Sequence, residues 1–234
     1  MDYTISGGFI AEQIRLEQSS FITKVYGWMS SALFITAMVA MFVAGTPAIV
    51  NVIFSSKLVF WGLILAEFGC VIYLVSAIKK MSVQMATFAF FFYAVLNGLT
   101  MSSIFLIYTA GSIGSTFFIT AGTFGIMSAY GYFTKKDLTT LGNLAGMGLI
   151  GLITASVANM VFHNEMLYWI TTYIGVLVFV GLTAYDTQKI KQMNIIGNEG
   201  TAEDQKEAIM GALTLYLDFI NMFLFMLRLF GNRR

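Results

Sequence analysis

The run "LYWITTYIGVLVFVGLTAY", residues 167–185, contains no charged residue and is followed directly by Asp186. The hydrocarbon core of a bilayer is about 30 Å thick, and a helix needs about 20 mostly apolar residues to cross it. The apolar residues of this run are continuous and do not alternate with polar ones, which favours a helix over a β-barrel strand. The stretch therefore predicts a membrane-spanning helix with an acidic residue near one end.

Seven such runs follow one another along the chain, at residues 25–44, 58–78, 83–108, 113–133, 142–162, 167–185 and 209–230. Of the 234 residues, 58% are hydrophobic and 11% are charged, whereas soluble domains carry about a quarter charged residues. These features predict an all-α integral membrane protein, in which residues 25–234 form a bundle of seven transmembrane helices. Residues 1–24 carry both signs of charge and lack the apolar core of a signal peptide, so we expect a polar amino-terminal tail.

The distribution of Lys and Arg predicts the orientation, because cytoplasmic loops of membrane proteins are enriched in them. If the amino terminus is cytoplasmic, nine of the thirteen basic residues lie inside: Arg15, Lys24, Lys79, Lys80, Lys135, Lys136, Lys189, Lys191 and Lys206. The outer loops then hold only Lys57. The carboxy-terminal residues Arg228, Arg233 and Arg234 go against this rule, because seven spans place them outside. We give the basic residues of the internal loops more weight than those of the carboxy terminus, and therefore predict a cytoplasmic amino terminus.

The overall composition argues against a nucleic acid as ligand and against a metal held by thiols. The net charge of +1 gives no reason to expect a nucleic acid as ligand. Cys70 is the single cysteine, which excludes an intramolecular disulfide and a thiol cluster for a metal. We therefore expect no bound cofactor, and a chain whose main environment is the lipid bilayer.

Small residues at four-residue spacing occur in the fourth and fifth runs, as Ala121, Gly125 and Ala129 and as Gly142 and Gly146. Such spacing lets helix backbones approach closely. It indicates packing seams within a monomeric bundle more often than a dimer interface, so we expect a monomer.

Four charged residues stand inside or at the edge of the apolar runs, namely Glu67, Asp186, Asp218 and Arg228. A charge at the centre of a membrane helix costs roughly 2.5–3.5 kcal/mol on insertion scales, so each of them needs a partner, water or a proton. With a helical period of 3.6 residues, Asp218 shares its face with Thr214 and Asn221. This narrow polar stripe indicates that Asp218 faces the interior of the bundle or water.

The two aspartates can lie at the same height if the last two helices form an antiparallel hairpin. Their midpoint, residue 202, falls in the polar segment "GNEGTAED", residues 197–204, which is typical of a turn. Two carboxylates at one depth in a medium of low dielectric constant cannot both ionise easily, so they would share a proton and form a pH switch. Alternatively, Asp186 only marks a solvated helix end near Lys189, and Asp218 bonds to Asn221 or to another helix. The spacing leaves both interpretations open.

The other two charged residues have several interpretations each. Glu67 is surrounded on its helical face by apolar residues, so it must be protonated or paired with another helix. Arg228 lies about 15 Å beyond Asp218 along the last helix. It either extends to the lipid head groups or takes part in an ion pathway.

Four strings carry a resemblance to a known family: "LNGLTMSSIFLIYT" (96–109), "YGYFTKKDLTTLGN" (130–143), "VGLTAYDTQKIK" (180–191) and "GALTLYLDFINMFLFMLRLFGNRR" (211–234). Together they resemble the transmembrane Bax inhibitor motif family, specifically its bacterial inner-membrane members. The resemblance covers the chain after the amino-terminal tail. It implies a multi-pass inner-membrane protein whose last helix is central.

The resemblance also implies a function, a pH-sensitive calcium leak without enzymatic activity, in which calcium is the transported ion. Asp186 and Asp218 match the aspartate pair that senses protons in the family, and they would form a weak calcium site. Glu67 and Arg228 match residues of the ion pathway. A basic latch on the aspartates falls near the end of the second helix, where this chain offers Lys79 or Lys80. A lysine would pair as a point charge without the bidentate fork of an arginine.

Two functions of other classes remain as alternatives. A non-conducting regulator that binds a membrane protein partner is one, as the family name suggests. An intramembrane aspartyl protease is the other. Two features argue against it: the second aspartate stands in "LYLDF" and not in a Gly-x-Gly-Asp context, and Pro47 is the single proline, so there is no Pro-Ala-Leu motif near the end of the sequence. A retinal protein is excluded because the seventh run has no lysine for a Schiff base.

Overall fold

The fold is built from helices, as the apolar runs predict. A computed structural model describes the backbone of residues 2–234 and the side chains of residues 12–234. Its helices are α1 (Asp2–Ala44), α2 (Pro47–Ser55), α3 (Lys57–Ala77), a short 3₁₀ helix (Ile78–Lys80), α4 (Val83–Ile107), α5 (Ala110–Phe133), α6 (Thr139–Phe162), α7 (Glu165–Met193) and α8 (Ala202–Phe230).

Seven of these helices are long and apolar enough to cross a membrane, which confirms the predicted number. The helix α2 was not predicted. It is short, with nine residues, and begins at Pro47, whose fixed φ suits the first position of a helix. The last helix, α8, is the most enclosed of the seven, since 72% of its most apolar 18-residue stretch is buried. This agrees with the prediction of a central last helix.

The helix boundaries differ from the apolar runs at the polar ends. Helix α7 continues to Met193, about two turns beyond Asp186, and α8 begins at Ala202, before the predicted residue 209. Helix α1 includes residues 12–24 of the predicted tail, and Phe21 there is buried. The side chains of residues 1–11 of that tail lie outside the described residues. Polar residues thus continue the helices where hydrophobicity alone would end them.

The chain divides into two compact units. The first contains the residues up to Ser103 together with Ile190–Leu213, and the second contains Ile104–Lys189 together with Thr214–Arg234. In the first unit, the Lys24 ammonium lies 2.8 Å from a carboxylate oxygen of the buried Asp204. This contact ties α1 to the first turn of α8.

In the second unit, aromatic rings join α5 to α8. The ring of Phe219 lies 5.5 Å from that of Phe117 and 5.4 Å from that of Phe124, both in edge-to-face geometry. The segment after α8 runs beside the end of α4, where Tyr108 and Arg233 form an isolated antiparallel bridge. The carboxy terminus is therefore part of the ordered structure of this unit.

The predicted packing seam in α5 is wrong. Gly125 and Ala129 are exposed, and an added side chain at Gly125 would meet open space. The buried face of α5 instead consists of Ser112, Ile113, Thr116, Thr120, Phe124, Ser128 and Gly131. Of its buried hydroxyl groups, that of Thr120 donates to the carbonyl of Thr116 within the helix, and that of Ser128 lies 2.8 Å from the Thr187 hydroxyl of α7.

In α6 only one of the two predicted glycines is a packing site. Gly142 lies against the ring of Tyr185, whereas Gly146 has open space beside it.

Candidate functional site

The side chains of Asp186 in α7 and Asp218 in α8 lie close enough to interact with each other. Asp218 is buried, with 4% of its surface exposed, and Asp186 is half-buried. An ionised carboxylate only accepts hydrogen bonds, so a hydrogen bond between these two groups needs a proton on one of them. The pair is therefore a candidate site for a shared proton.

One oxygen of this pair is unsatisfied among the described residues. The Oδ2 atom of Asp218 is buried without a hydrogen-bond partner. The side-chain amide of Asn221 donates to the carbonyl of Leu217 at 2.8 Å, so it does not serve Asp218, as one sequence interpretation suggested. A buried acceptor without a donor is costly, and it marks a position where a cation or a proton would be stabilised.

Hydroxyl groups next to Asp186 bond α7 to α5. Thr187 is fully buried and donates to the carbonyl of Thr183 at 2.7 Å. Its hydroxyl also lies 2.8 Å from that of Ser128 in α5. The sequence of α7 can therefore place an acid beside buried threonines without leaving their hydroxyl groups unsatisfied.

Two glycines bring neighbouring helices close to α7 around the aspartate. A side chain at Gly131 of α5 would overlap the backbone of Ala184, and one at Gly142 of α6 would overlap the ring of Tyr185. Ala184 and Tyr185 immediately precede Asp186. Glycine is required at both positions because no larger residue fits, and the two contacts fix the backbone that carries the acid.

Gln188 was not singled out in the sequence, yet it holds the loop between α5 and α6. Its Oε1 atom accepts from the amide of Leu138 at 2.9 Å, and its Nε2 atom donates to the carbonyl of Lys136 at 2.8 Å. The side chain is buried. The signal that could have found it is a bulky amide two residues after Asp186 in a segment otherwise rich in apolar and hydroxyl residues.

The same loop carries Asp137, whose carboxylate accepts hydrogen bonds from the first residue of α6. Its Oδ1 atom accepts from the amide of Thr139 at 2.9 Å and from the Thr139 hydroxyl at 2.6 Å. These hydrogen bonds favour the ionised form and lower the pKa of the Asp137 carboxyl. Asp137 thus favours its ionised form at the end of the loop, where the loop joins α6.

Glu67 has a partner on the neighbouring helix. Its Oε1 atom accepts from the hydroxyl of Thr100 in α4 at 2.7 Å, and the side chain is half-buried in α3. The sequence allowed either protonation or pairing with another helix, and the structure shows a hydrogen bond to a neighbouring helix. The structure places Glu67 in the first compact unit, whereas the two aspartates are in the second.

The guanidinium of Arg228 lies over two aromatic rings, 5.0 Å from the centre of Phe225 and 5.6 Å from that of Tyr168. Lys79 and Lys80, which were predicted as latch residues, are exposed in the 3₁₀ helix. The backbone carbonyl of Lys79 accepts a long hydrogen bond from Lys206 at 3.4 Å. The latch and pathway roles of these residues stay predictions.

Among the described side chains, no group of three or more His, Cys, Asp or Glu is arranged to hold a metal ion. Calcium takes six to eight oxygen ligands. The pair of Asp186 and Asp218 offers carboxyl oxygens for only part of that shell, so any calcium there would be held weakly, with other ligands.

Comparison with known proteins gives full-length matches. A family model described as "Inhibitor of apoptosis-promoting Bax1" matches residues 18–234. The chain is 51% identical over 223 residues to the inner membrane protein YbhL of Escherichia coli, with 95% of each chain covered. It is 45% identical over 219 residues to an uncharacterised protein of Borreliella burgdorferi, with 94% of each covered, and 44% identical to the uncharacterised protein RP147 of Rickettsia prowazekii, with 92% and 90% covered.

The family match includes every helix that carries a predicted site residue, and the seven long apolar helices are those of an integral membrane protein. By this match over most of its length, the chain belongs to the Bax inhibitor family.

Proposed function

We propose that this protein is a pH-sensitive calcium leak of the inner membrane, regulated by the proton that Asp186 and Asp218 share. The observation that carries the proposal is the proximity of the Asp186 side chain in α7 to the Asp218 side chain in α8, with one oxygen of Asp218 buried and without a hydrogen-bond partner among the described residues. The inner-membrane location is supported by the name of the relative from Escherichia coli.

The pair links proton binding to both helix contact and ion attraction. With one proton, the two side chains hold α7 and α8 together through a hydrogen bond. Without a proton, two negative charges repel each other and attract a cation, and with two protons that attraction is lost. The number of protons on the pair therefore changes the contact between the helices and the local affinity for calcium together.

The weak coordination also suits conduction. A path must bind an ion well enough to admit it and weakly enough to release it. Two carboxyl groups provide charge without a complete ligand shell, so calcium would not be trapped. We assign Glu67 and Arg228 to the ion pathway, and Lys79 and Lys80 to the latch, as further parts of this proposal, with the amino terminus in the cytoplasm.

A non-conducting regulator is the second candidate function, because the matching family is described by the inhibition of another protein. In that case the aspartate pair would be a structural contact between α7 and α8. A stoichiometric partner that purifies with the protein, together with no ion flux from the protein alone, would favour the regulator.

The test is calcium flux into dye-loaded liposomes that contain the purified protein, measured from about pH 5 to about pH 9, the range in which a shared carboxyl proton can titrate. We expect a flux above that of empty liposomes that changes with pH. Folded and inserted protein that passes no calcium at any pH in this range would contradict the leak.

A further inference from the structure

The carboxy-terminal arginines, which go against the charge rule for membrane loops, form part of a cleft. Arg228 and Arg233 line a cleft of about 540 Å³ in the second unit, together with Glu165, Tyr168, Trp169, Leu229 and Gly231. We propose that this cleft binds the phosphate of a phospholipid head group. The proposal does not depend on calcium conduction.

Both guanidinium groups lie close to one aromatic ring. The Arg228 guanidinium carbon is 5.6 Å from the ring centre of Tyr168, and that of Arg233 is 6.0 Å from it. Arg233 also donates to the Tyr168 hydroxyl at 2.9 Å. Contact with a ring uses none of the five N–H donors of an arginine, so most of these donors remain for an anion.

The charge of the cleft favours an anionic ligand. It holds two arginines and one acid, Glu165. A guanidinium can bind a phosphate through two parallel hydrogen bonds, which is the strongest common pairing for that anion. The carboxylate of Glu165, which also lines the cleft, would suit a head group that also carries an ammonium or hydroxyl group.

The short segment after α8 presents Arg233 in a fixed position. The amide of Thr109 donates to the carbonyl of Asn232 at 3.1 Å, and the amide of Arg234 donates to the carbonyl of Ile107 at 2.9 Å. The amide of Asn232 also donates to the hydroxyl of Ser112 at 2.8 Å. An ordered segment loses less entropy when it binds a ligand, so Arg233 is prepared for binding.

The surroundings indicate that the anion comes from a lipid and not from solution. The cleft lies between the first turn of α7 and the end of α8, which are ends of predicted membrane spans. Side chains beside it are apolar and exposed, as for Met166, Tyr173 and Phe230. Tyr and Trp typically occupy this depth, at the head groups, and an arginine there can bind a lipid phosphate through two parallel hydrogen bonds.

Native mass spectrometry of the detergent-purified protein, titrated with defined lipids, tests this site. We expect wild type to retain phosphatidylglycerol and to retain diacylglycerol, which lacks the phosphate, at least about tenfold more weakly. The variant Arg228→Gln/Arg233→Gln should bind phosphatidylglycerol about tenfold more weakly than wild type. Arg234→Gln is the matched control for the single variant Arg233→Gln, since each removes one positive charge but Arg234 does not line the cleft, and it should bind like wild type.

Each outcome decides the proposal. Equal binding of phosphatidylglycerol by wild type and the double variant would overturn it, as would equal losses in the double variant and in Arg234→Gln. Inorganic phosphate that competes fully with the lipid at equal concentration would overturn the lipid source and assign the cleft to a soluble anion. If the double variant does not fold, Arg233→Gln alone decides, because Arg233 is exposed beyond the end of α8, and it should still weaken lipid binding several-fold.

Discussion

The backbone of Gly131 in α5 lies directly against that of Ala184 in α7, two residues before Asp186. A methyl group at Gly131 would overlap the Ala184 carbonyl, so Gly131→Ala must separate the two helices. We expect the substitution to lower the free energy of unfolding by about 2–3 kcal/mol, as overpacking does. Thermal unfolding in detergent measures the difference.

Gly125→Ala is the matched control for this prediction, because the same change in the same helix meets open space. It should be neutral or stabilising by up to about 1 kcal/mol, since alanine has the higher helix propensity. Equal stability of the two variants would mean that the contact between Gly131 and Ala184 is absent in the protein.

The ion pair between Lys24 and Asp204 should stabilise the attachment of α1 to the start of α8. The Asp204 side chain is 2% exposed and that of Lys24 is 34% exposed. Lys24→Met leaves a buried carboxylate whose remaining donor among the described residues is the backbone amide of Gly200, at 2.9 Å. We expect a loss of about 2 kcal/mol, between the values for surface and buried pairs.

Lys135→Met is a suitable control for that variant, because Lys135 is exposed in the loop after α5, and it should change stability by less than about 0.5 kcal/mol. The double variant Lys24→Met/Asp204→Asn should recover part of the loss, since the uncompensated charge is then removed. A double variant that is simply the sum of the two single losses would argue against coupling.

Gln188→Ala should free the loop between α5 and α6. The substitution removes an acceptor from the Leu138 amide and a donor from the Lys136 carbonyl. Buried hydrogen bonds of this kind are worth about 1–3 kcal/mol when one partner is removed. Faster hydrogen exchange confined to residues 134–139 would confirm the role, and exchange unchanged there relative to the exposed-site control Gln84→Ala would refute it.

The hydrogen bonds that Asp137 accepts from the first residue of α6 predict a pH-dependent stability. Its hydrogen bonds with Thr139 lower the pKa of the carboxyl in the folded protein below its ordinary 3.8. The ionised group therefore stabilises the fold fully above that ordinary value, and this contribution is lost as the pH falls through the lower folded value. Asp137→Asn should unfold at a lower temperature than wild type at neutral pH and at the same temperature in strong acid. A gap that stays constant with pH would contradict the prediction.

The number and order of membrane helices could be predicted because an apolar run of sufficient length has few other uses in a chain this hydrophobic. The ends could not, because polar residues such as those after Asp186 continue a helix at little cost once it leaves the lipid. The short α2 also lacks the length that reveals a span. Hydrophobicity therefore specifies the spans but not the segments beyond them.

Hairpin symmetry allowed a contact between the two aspartates, because equal distance from a turn places residues at equal height, but it left a solvated helix end at Asp186 open as well. The role of Gln188 did not follow, because its partners are backbone groups of a loop that no side-chain pattern identifies. The face of α5 was also wrong at Gly125 and Ala129, since small residues suit both a packed seam and a surface facing lipid. The contact between Gly131 and Ala184, which is visible in the structure, identifies the face of α5 that packs against α7.

The central claim is that a proton shared by Asp186 and Asp218 controls calcium flux. The most direct measurement is calcium flux into liposomes across about pH 5 to about pH 9 for wild type, Asp218→Asn and the loop control Asp137→Asn. We predict that the pH midpoint of the flux moves or vanishes in Asp218→Asn, because an amide cannot titrate and Asp186 loses its carboxyl partner, and that the midpoint is unchanged in Asp137→Asn. A wild-type flux with the same pH midpoint in folded, inserted Asp218→Asn would contradict the account.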